Sequence, residues 1–394
     1  MVGARLHQEK GAALAMTDDF RWNDYFLRGA ADVESFWKDL LAEEERRLLF
    51  VLGHGFDQRM CHGLRTIVGT SKDTPFDALV IEYDEGPRSH SHQYSELRER
   101  NGERLEALLK GRGKLARRRI TMFNDGRRVG ARSITNEFQS MSKFRSYSDV
   151  VVDISALPRG LYFPLLSKLL LLFDQDPGDQ SWPNLHVVVA HSPGLDQRIV
   201  DEGVEENASF LHGFSAASFE REATREQPRI WIPLLGRRQT IQLERIYELV
   251  SPDEICPLLP SPAHNPREAD DLVLEYREFL FDQLRVEPQN IIYASESNPF
   301  EVYRQLMRSI VHYREALEPL SGCKAVLSAL SSKLLSLGAL LAAYELSRGR
   351  TGDDHVDVGV AHVDTQGYRL EDAEEEQAVD LYSLWLCGEC YEGS

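Results

Sequence analysis

LLFVLGHGFDQRM, residues 48–60, is the stretch on which the fold turns. Five apolar residues in an unbroken run, 48–52, suit a parallel strand buried on both faces, where no polar alternation is needed. Gly53-His54-Gly55-Phe56-Asp57 ends the run, and 59–68 resumes with helical spacing. A buried strand, a glycine-bearing turn and a helix make the opening of a βαβ unit.

Working outward, the same plan recurs. Downstream apolar runs at 78–81, 119–123, 150–152 and 185–190 are separated by helix-like stretches, including 94–109 and 161–173. Upstream, residues 1–47 read as a lead-in whose segment 24–47 carries Phe26, Phe36, Trp37, Leu40 and Leu41 at helical spacing. Strands alternating with amphipathic helices predict a mainly parallel sheet flanked by helices. After a polar, small-residue linker at 201–227 the alternation restarts. Strands are expected at 230–235, 255–259, 290–294, 324–327 and 356–363, with helices at 240–250, 270–284, 300–317 and 332–347. In both halves the second strand-to-strand gap is the longest, and a strongly apolar helix follows the fourth strand. The expectation is α/β: two tandem Rossmann-like units related by duplication, at 48–200 and 228–369. The segment 370–394 starts acidic and turns apolar at Leu381, Tyr382, Leu384, Trp385 and Leu386, which predicts a C-terminal helix docked on the body.

Composition narrows the function classes. A formal net charge of −18 disfavours duplex DNA binding through a broad basic surface. The local basic run 110–119 reads as a solvated loop entering a strand. No apolar run is long enough to span a membrane, and the N-terminal residues lack a secretory signal. Cys61, Cys256, Cys323, Cys387 and Cys390 form no disulfide framework, which fits a reducing, cytoplasmic setting.

In open parallel sheets ligands bind outside the carboxyl ends of the strands. Gly53 and Gly55, before a helix start, can bring backbone N–H groups close to a phosphate, although neither G-x-G-x-x-G nor a P-loop is complete. Plain turn chemistry explains the glycines equally well. At the fourth turn of the first half, Asp153 and Ser155 suit capping or ligand contact, and Arg159 suits an anion. The matching turn in the second half holds Ser328, Ser331, Ser332 and Lys333, directly before an apolar Leu/Ala/Gly helix. Burying a lysine there is unfavourable without an anionic partner. Arg237, in the first turn of the second half, adds positive charge, and Tyr368 after the last strand offers a stacking surface.

A fourth strand, a Ser-Ser-Lys turn at 331–333, the helix LLSLGALLAAYE and a fifth strand resemble the CRISPR-associated Rossmann fold (CARF) sensor domains over residues 290–368. The resemblance implies that Ser331, Ser332 and Lys333 contact a nucleotide or cyclic oligonucleotide. It further implies a pseudo-two-fold pocket between paired units, a role in prokaryotic antiviral defence and a protein partner in such a system. In the first half Leu157-Pro158-Arg159 stands in place of the Ser/Lys signature, and no attached nuclease domain is evident.

Enzyme signatures are sparse. Glu82-Tyr83-Asp84-Glu85 after the second strand permits a ribose contact and, with the Gly53 turn, a methyltransferase-like reading. His90 and His92 lack a third metal ligand, and Cys387/Cys390 is a lone CxxC. No metal is expected and no cofactor beyond a nucleotide-type ligand, and the sequence does not identify catalytic residues. Three classes stay open: a sensor or regulatory subunit, a ring-nuclease-like or methyltransferase-like enzyme, and an interaction scaffold without ligand.

Overall fold

The computed structural model describes residues 20–43, 45–84, 89, 91–124, 127–175, 182–214, 226–348, 356–371 and 378–391. The chain begins with strand β1 (Phe26–Gly29) and helix α1 (Ala31–Leu40). The first unit continues as β2 (Leu48–His54), α2 (His62–Thr70), β3 (Phe76–Tyr83), α3 (Ser95–Leu109) and β4 (Leu115–Ile120). A small hairpin, β5 (Phe123–Asn124) and β6 (Arg127–Arg128), precedes α4 (Gly130–Glu137), β7 (Asp149–Asp153), α5 (Arg159–Phe173), β8 (Asn184–His191) and α6 (Pro193–Arg198). β9 (Ile199–Asp201) and β10 (Ser209–Phe210) lead across to the second unit. That unit runs β11 (Arg229–Leu234), α7 (Thr240–Val250), β12 (Glu254–Ile255), β13 (Leu258–Pro260), α8 (Glu268–Glu275) and β14 (Ile292–Ala294). It then adds α9 (Pro299–Ala316), β15 (Lys324–Ala329), α10 (Lys333–Arg348) and β16 (Asp357–His362), before β17 (Tyr368–Leu370) and β18 (Asp380–Cys387).

Both units share one strand order. The parallel strands lie β4-β3-β2-β7-β8 in one sheet and β14-β13-β11-β15-β16 in the other. Numbered within each unit, both read 3-2-1-4-5, the doubly wound order whose switch point falls between strands one and four. In each sheet a further antiparallel strand flanks strand five: β18 beside β8, and β10 beside β16.

Only one of those two flanking strands crosses between the units. β10, in the segment that leads into the second unit, completes the second sheet, whereas β18 follows the second unit and returns to the first sheet. β18 sits between β8 and β1, so Leu384 pairs with Val187 on one side and Leu27 on the other. The predicted C-terminal helix is therefore corrected to a strand. Ser383, Leu384 and Leu386 are buried on alternate faces, and burial on both faces erases the period-two alternation that would have marked a strand. The lead-in is also only partly helical: Phe26 belongs to β1, and Trp37 Nε1 donates to Ser383 Oγ at 3.2 Å.

Other boundaries shift for local reasons. The third strand is β4, not 119–123. It is an edge strand, and Arg117 and Arg118 pair with Glu82, Glu106 and Glu137, so its polar sequence hid it. The strand expected at 255–259 is split into β12 and β13. Part of the expected linker forms β9 and β10, and 215–225 lie outside the described residues.

Three apolar clusters define five layers. α1, α2 and α3 cover the outer face of the first sheet, and α7 and α8 the outer face of the second. Between the sheets, α4, α5, α9 and α10 share one continuous core. This placement explains why α5 and α10 are apolar nearly all round: each packs on its own sheet and on helices of the other unit. Gly338 in α10 allows the closest approach, since a Cβ there would lie 2.4 Å from the Pro299 carbonyl oxygen of α9. Among the described residues no helix is long and apolar enough to cross a membrane.

Candidate functional site

The carboxyl ends of both sheets open into one cavity of about 910 Å³. The first unit contributes the turn after β2 and the turn between β7 and α5; the second contributes the turns after β11 and β15. Residues of β9 and β17, which pair antiparallel, close one side. Both topological switch points thus face a shared cleft of ligand size.

Arg159 and Lys333 occupy corresponding positions, each the first residue of the helix after its unit's fourth strand. The two helix starts touch: Arg159 Nη2 donates to the Ser331 carbonyl oxygen. Lys333 is half-buried and makes no hydrogen bond or ion pair among the described residues. Burial and then the Arg59 charge push its ammonium down from 10.5 to about 8, with Asp57 and Asp196 opposing. An ammonium in this setting is short of acceptors.

Arg59 is the buried neighbour, only 3% exposed. Its Nε and Nη2 fork onto Asp57 at 2.8–3.2 Å, and Nη1 donates to Asp196 at 2.7 Å. Burial alone would raise the Asp57 carboxyl, but Arg59 outweighs it and holds Asp57 below the ordinary range. Asp57 Oδ1 also accepts from the Arg59 backbone N–H, capping the turn that leads to α2.

The remaining sequence candidates divide clearly. Ser331 and Ser332 line the cleft, the Ser332 hydroxyl accepting from Leu335 N at 3.4 Å as a cap of α10. Gly55 lines it too, with Tyr83 Oη 3.3 Å from where its Cβ would be. Gly53 does not offer backbone to a ligand, because Leu157 fills that space: a Cβ on Gly53 would meet Leu157 Cδ2 at 2.7 Å. Ser328 is fully buried and accepts from Trp231 Nε1 at 2.9 Å, so its hydroxyl is committed inside the second sheet. Ser155 borders the cleft, but its hydroxyl accepts from Ala190 N at 2.8 Å. Asp153 is buried and accepts from Ser155 N at 2.9 Å, while its Oδ2 has no partner among the described residues. Burial pushes Asp153 up to about 6 despite the bonds from Ser155. Arg237 lines the cleft yet is neutralised by Glu268 at 2.6 Å and Asp271 at 2.9 Å. Of the ligand contacts expected from the sequence, Ser328, Asp153 and Gly53 are turned inward, and Ser155 and Arg237 line the cleft with their polar groups already paired.

Other motifs resolve as structure. Glu82 pairs with Arg117 at 3.0 Å, away from a free ribose-binding role. Cys387 is buried and accepts from Arg21 Nη2 at 3.2 Å, while Cys390 is exposed. No group of three His, Cys, Asp or Glu that could hold a metal occurs among the described residues. His90 and the side chain of His92 lie outside the described residues. The sequence reading missed the Asp57–Arg59–Asp196 cluster, whose only local signal was an acid and a base two apart in the first turn. It also missed the carboxylates Asp201, Glu275 and Glu296 on the cleft wall.

No family model matches the chain, and no curated protein matches it. Among the solved structures that match the chain, two do so weakly over most of its length. One is a Pseudomonas aeruginosa UCBPP-PA14 protein assigned as a universal stress protein: 11% identity, 80% of this chain and 92% of that chain covered, TM-score 0.20. The other is an uncharacterized protein from Mycobacterium paratuberculosis: 10% identity, 82% and 86% covered, TM-score 0.20.

Proposed function

We propose that this chain is a tandem Rossmann-like sensor or regulatory subunit that binds a nucleotide-type anionic ligand in the cleft between its two switch points. The observation that carries the reading is Lys333, a half-buried ammonium without hydrogen-bond or ion-pair partner among the described residues, set at the start of α10 beside Arg159 of the other unit. An anion at this corner supplies the acceptor that Lys333 lacks, and two helix N-termini add favourable dipole ends. A guanidinium now resting on a neutral carbonyl gains a charged acceptor, and charge-assisted bonds are about twice as strong as neutral ones. The resemblance of residues 290–368 to CARF sensors supports the same corner, and a place in antiviral defence with a protein partner belongs to this proposal through that resemblance.

Mass spectrometry of small molecules released by denaturing the purified protein, followed by calorimetry with the compounds found, tests the reading. A phosphate-bearing compound that binds the wild type and loses at least tenfold in affinity with Lys333→Ala is the expected result. Undiminished affinity in that variant would remove Lys333 from the site.

A further inference from the structure

The charges on the cleft wall define what kind of nucleotide fits, given that one binds there as proposed above. Seven Lys/Arg and seven Asp/Glu residues line the cavity. Most cations are already matched: Arg59 by Asp57 and Asp196, Arg237 by Glu268 and Asp271, and Arg238 and Arg369 by Glu371. Lys333, Arg159 and Arg98 have no carboxylate partner among the described residues. They sit on three different helices, α10, α5 and α3.

Among the described residues, three carboxylates on the same wall are likewise unmatched by Lys or Arg and held only by neutral donors. Asp201 Oδ2 accepts from Gln242 Nε2 at 2.8 Å and Gln239 Nε2 at 3.3 Å. Glu275 accepts from the Arg238 backbone N–H, and Glu296 Oε2 from His264 N at 2.8 Å. His191 Nε2 approaches Glu296 at 3.9 Å, and burial lowers the affinity of its ring for a proton.

We propose that Asp201, Glu275 and Glu296 are specificity elements that accept hydrogen bonds from amino or hydroxyl groups of the ligand and exclude contiguous polyphosphate, so that the cleft takes a nucleoside monophosphate in preference to a triphosphate. A triphosphate concentrates several negative charges in one chain, whereas the three unmatched cations share the cleft wall with three unmatched carboxylates. In a partly dehydrated cleft, like charges a few ångströms apart repel by several-fold more than in bulk water. A monophosphate needs only the Lys333–Arg159 corner and leaves ribose hydroxyls and base amines for the carboxylates.

The experiment is isothermal titration of the full chain with AMP, GMP, CMP and UMP, and with the corresponding triphosphates, without added divalent cation. The expected result is a monophosphate at least tenfold tighter than its triphosphate, with the gap narrowing at least threefold in Asp201→Asn/Glu296→Gln. A triphosphate that binds as tightly as its monophosphate while still depending on Lys333 overturns the charge argument and leaves the site standing. An unchanged gap in the double variant, beside wild-type folding by circular dichroism, removes the carboxylates from specificity. If no mononucleotide or triphosphate binds, the monophosphate preference is overturned, while a cyclic oligonucleotide that binds through Lys333 leaves the site standing.

Discussion

Replacing Lys333 with methionine tests the site without knowing the ligand. The two side chains have similar length, so the change removes a charge while keeping most packing. In the ligand-free protein that charge is unfavourable: the ammonium is lowered from 10.5 to about 8 by burial and by Arg59. A tenfold change in proton affinity corresponds to about 1.4 kcal/mol, so the full displacement is about 3 kcal/mol. Solvent access to a half-buried side chain reduces the expectation to about 1–2 kcal/mol.

The sign follows from linkage. Below about 8 the lysine is charged in both folded and unfolded chains, and the whole penalty is present. Between about 8 and 10.5 the unfolded chain keeps a proton that the folded chain has released, so this group makes stability rise with pH. Lys333→Met is therefore more stable than wild type at pH 7 and lacks that rise. Calorimetric melting at pH 7 and pH 10 reads both effects. With about 2–4 °C per kcal/mol in domains of 150–250 residues, the neutral-pH gain is a few degrees. The same variant loses ligand affinity, the pattern of a residue kept for function against stability. A variant less stable than wild type, or one with an unaltered pH profile, refutes the claim that Lys333 is electrostatically unsatisfied.

Four further changes separate packing from binding. Arg237→Gln leaves Glu268 and Asp271 facing each other and lowers stability by about 0.5–1 kcal/mol in urea denaturation. It shifts affinity for the best-binding mononucleotide by less than about threefold, because Arg237 is already neutralised. Asp153→Asn keeps the acceptor for Ser155 N and removes a carboxyl raised from 3.8 to about 6. The wild type loses stability as pH rises through that window, since the unfolded chain ionises first; the variant does not, as denaturation at pH 4 and pH 7 will show. Gly236→Ala puts a Cβ 2.2 Å from the Leu330 carbonyl oxygen, forcing the turn that carries Lys333 to move. A loss of about 1–3 kcal/mol, with weakened mononucleotide binding by calorimetry, is expected. Leu384→Pro removes a ladder donor from a strand flanked on both sides, so the first unit loses protection in hydrogen exchange.

What the sequence made legible follows from how these strands are buried. β2, β7, β8, β11 and β15 lie inside their sheets, so each is a short apolar run that needs no partner to be recognised. Lys333 stood out because one cation directly precedes a helix that is apolar all round. β18 remained hidden because its neighbours, β8 and β1, are far from it in sequence and its two-sided burial gives no alternation. The pairs Arg59–Asp196 and Arg237–Glu268 join residues brought together only by the fold, and Gly53 was ambiguous until Leu157 was seen to occupy its space. Local chemistry announces a turn; which side of it faces a ligand is settled by what packs against it.

The crossing strand β18 bears directly on how the cleft is held together. Two repeats joined only by a linker would be free to reorient, as domains with small interfaces generally are. Here the first sheet is completed by β18, which comes from beyond the second unit, and the segments that enter and leave the second unit are themselves paired through β9 and β17. Separating the units therefore requires stripping β18 from β8 and opening the core shared by α5, α9 and α10. Arg159 and Lys333 are consequently held in one cleft before any ligand arrives. Binding then needs little ordering of the backbone, and most of the attraction of an anion for the two charges can appear as affinity.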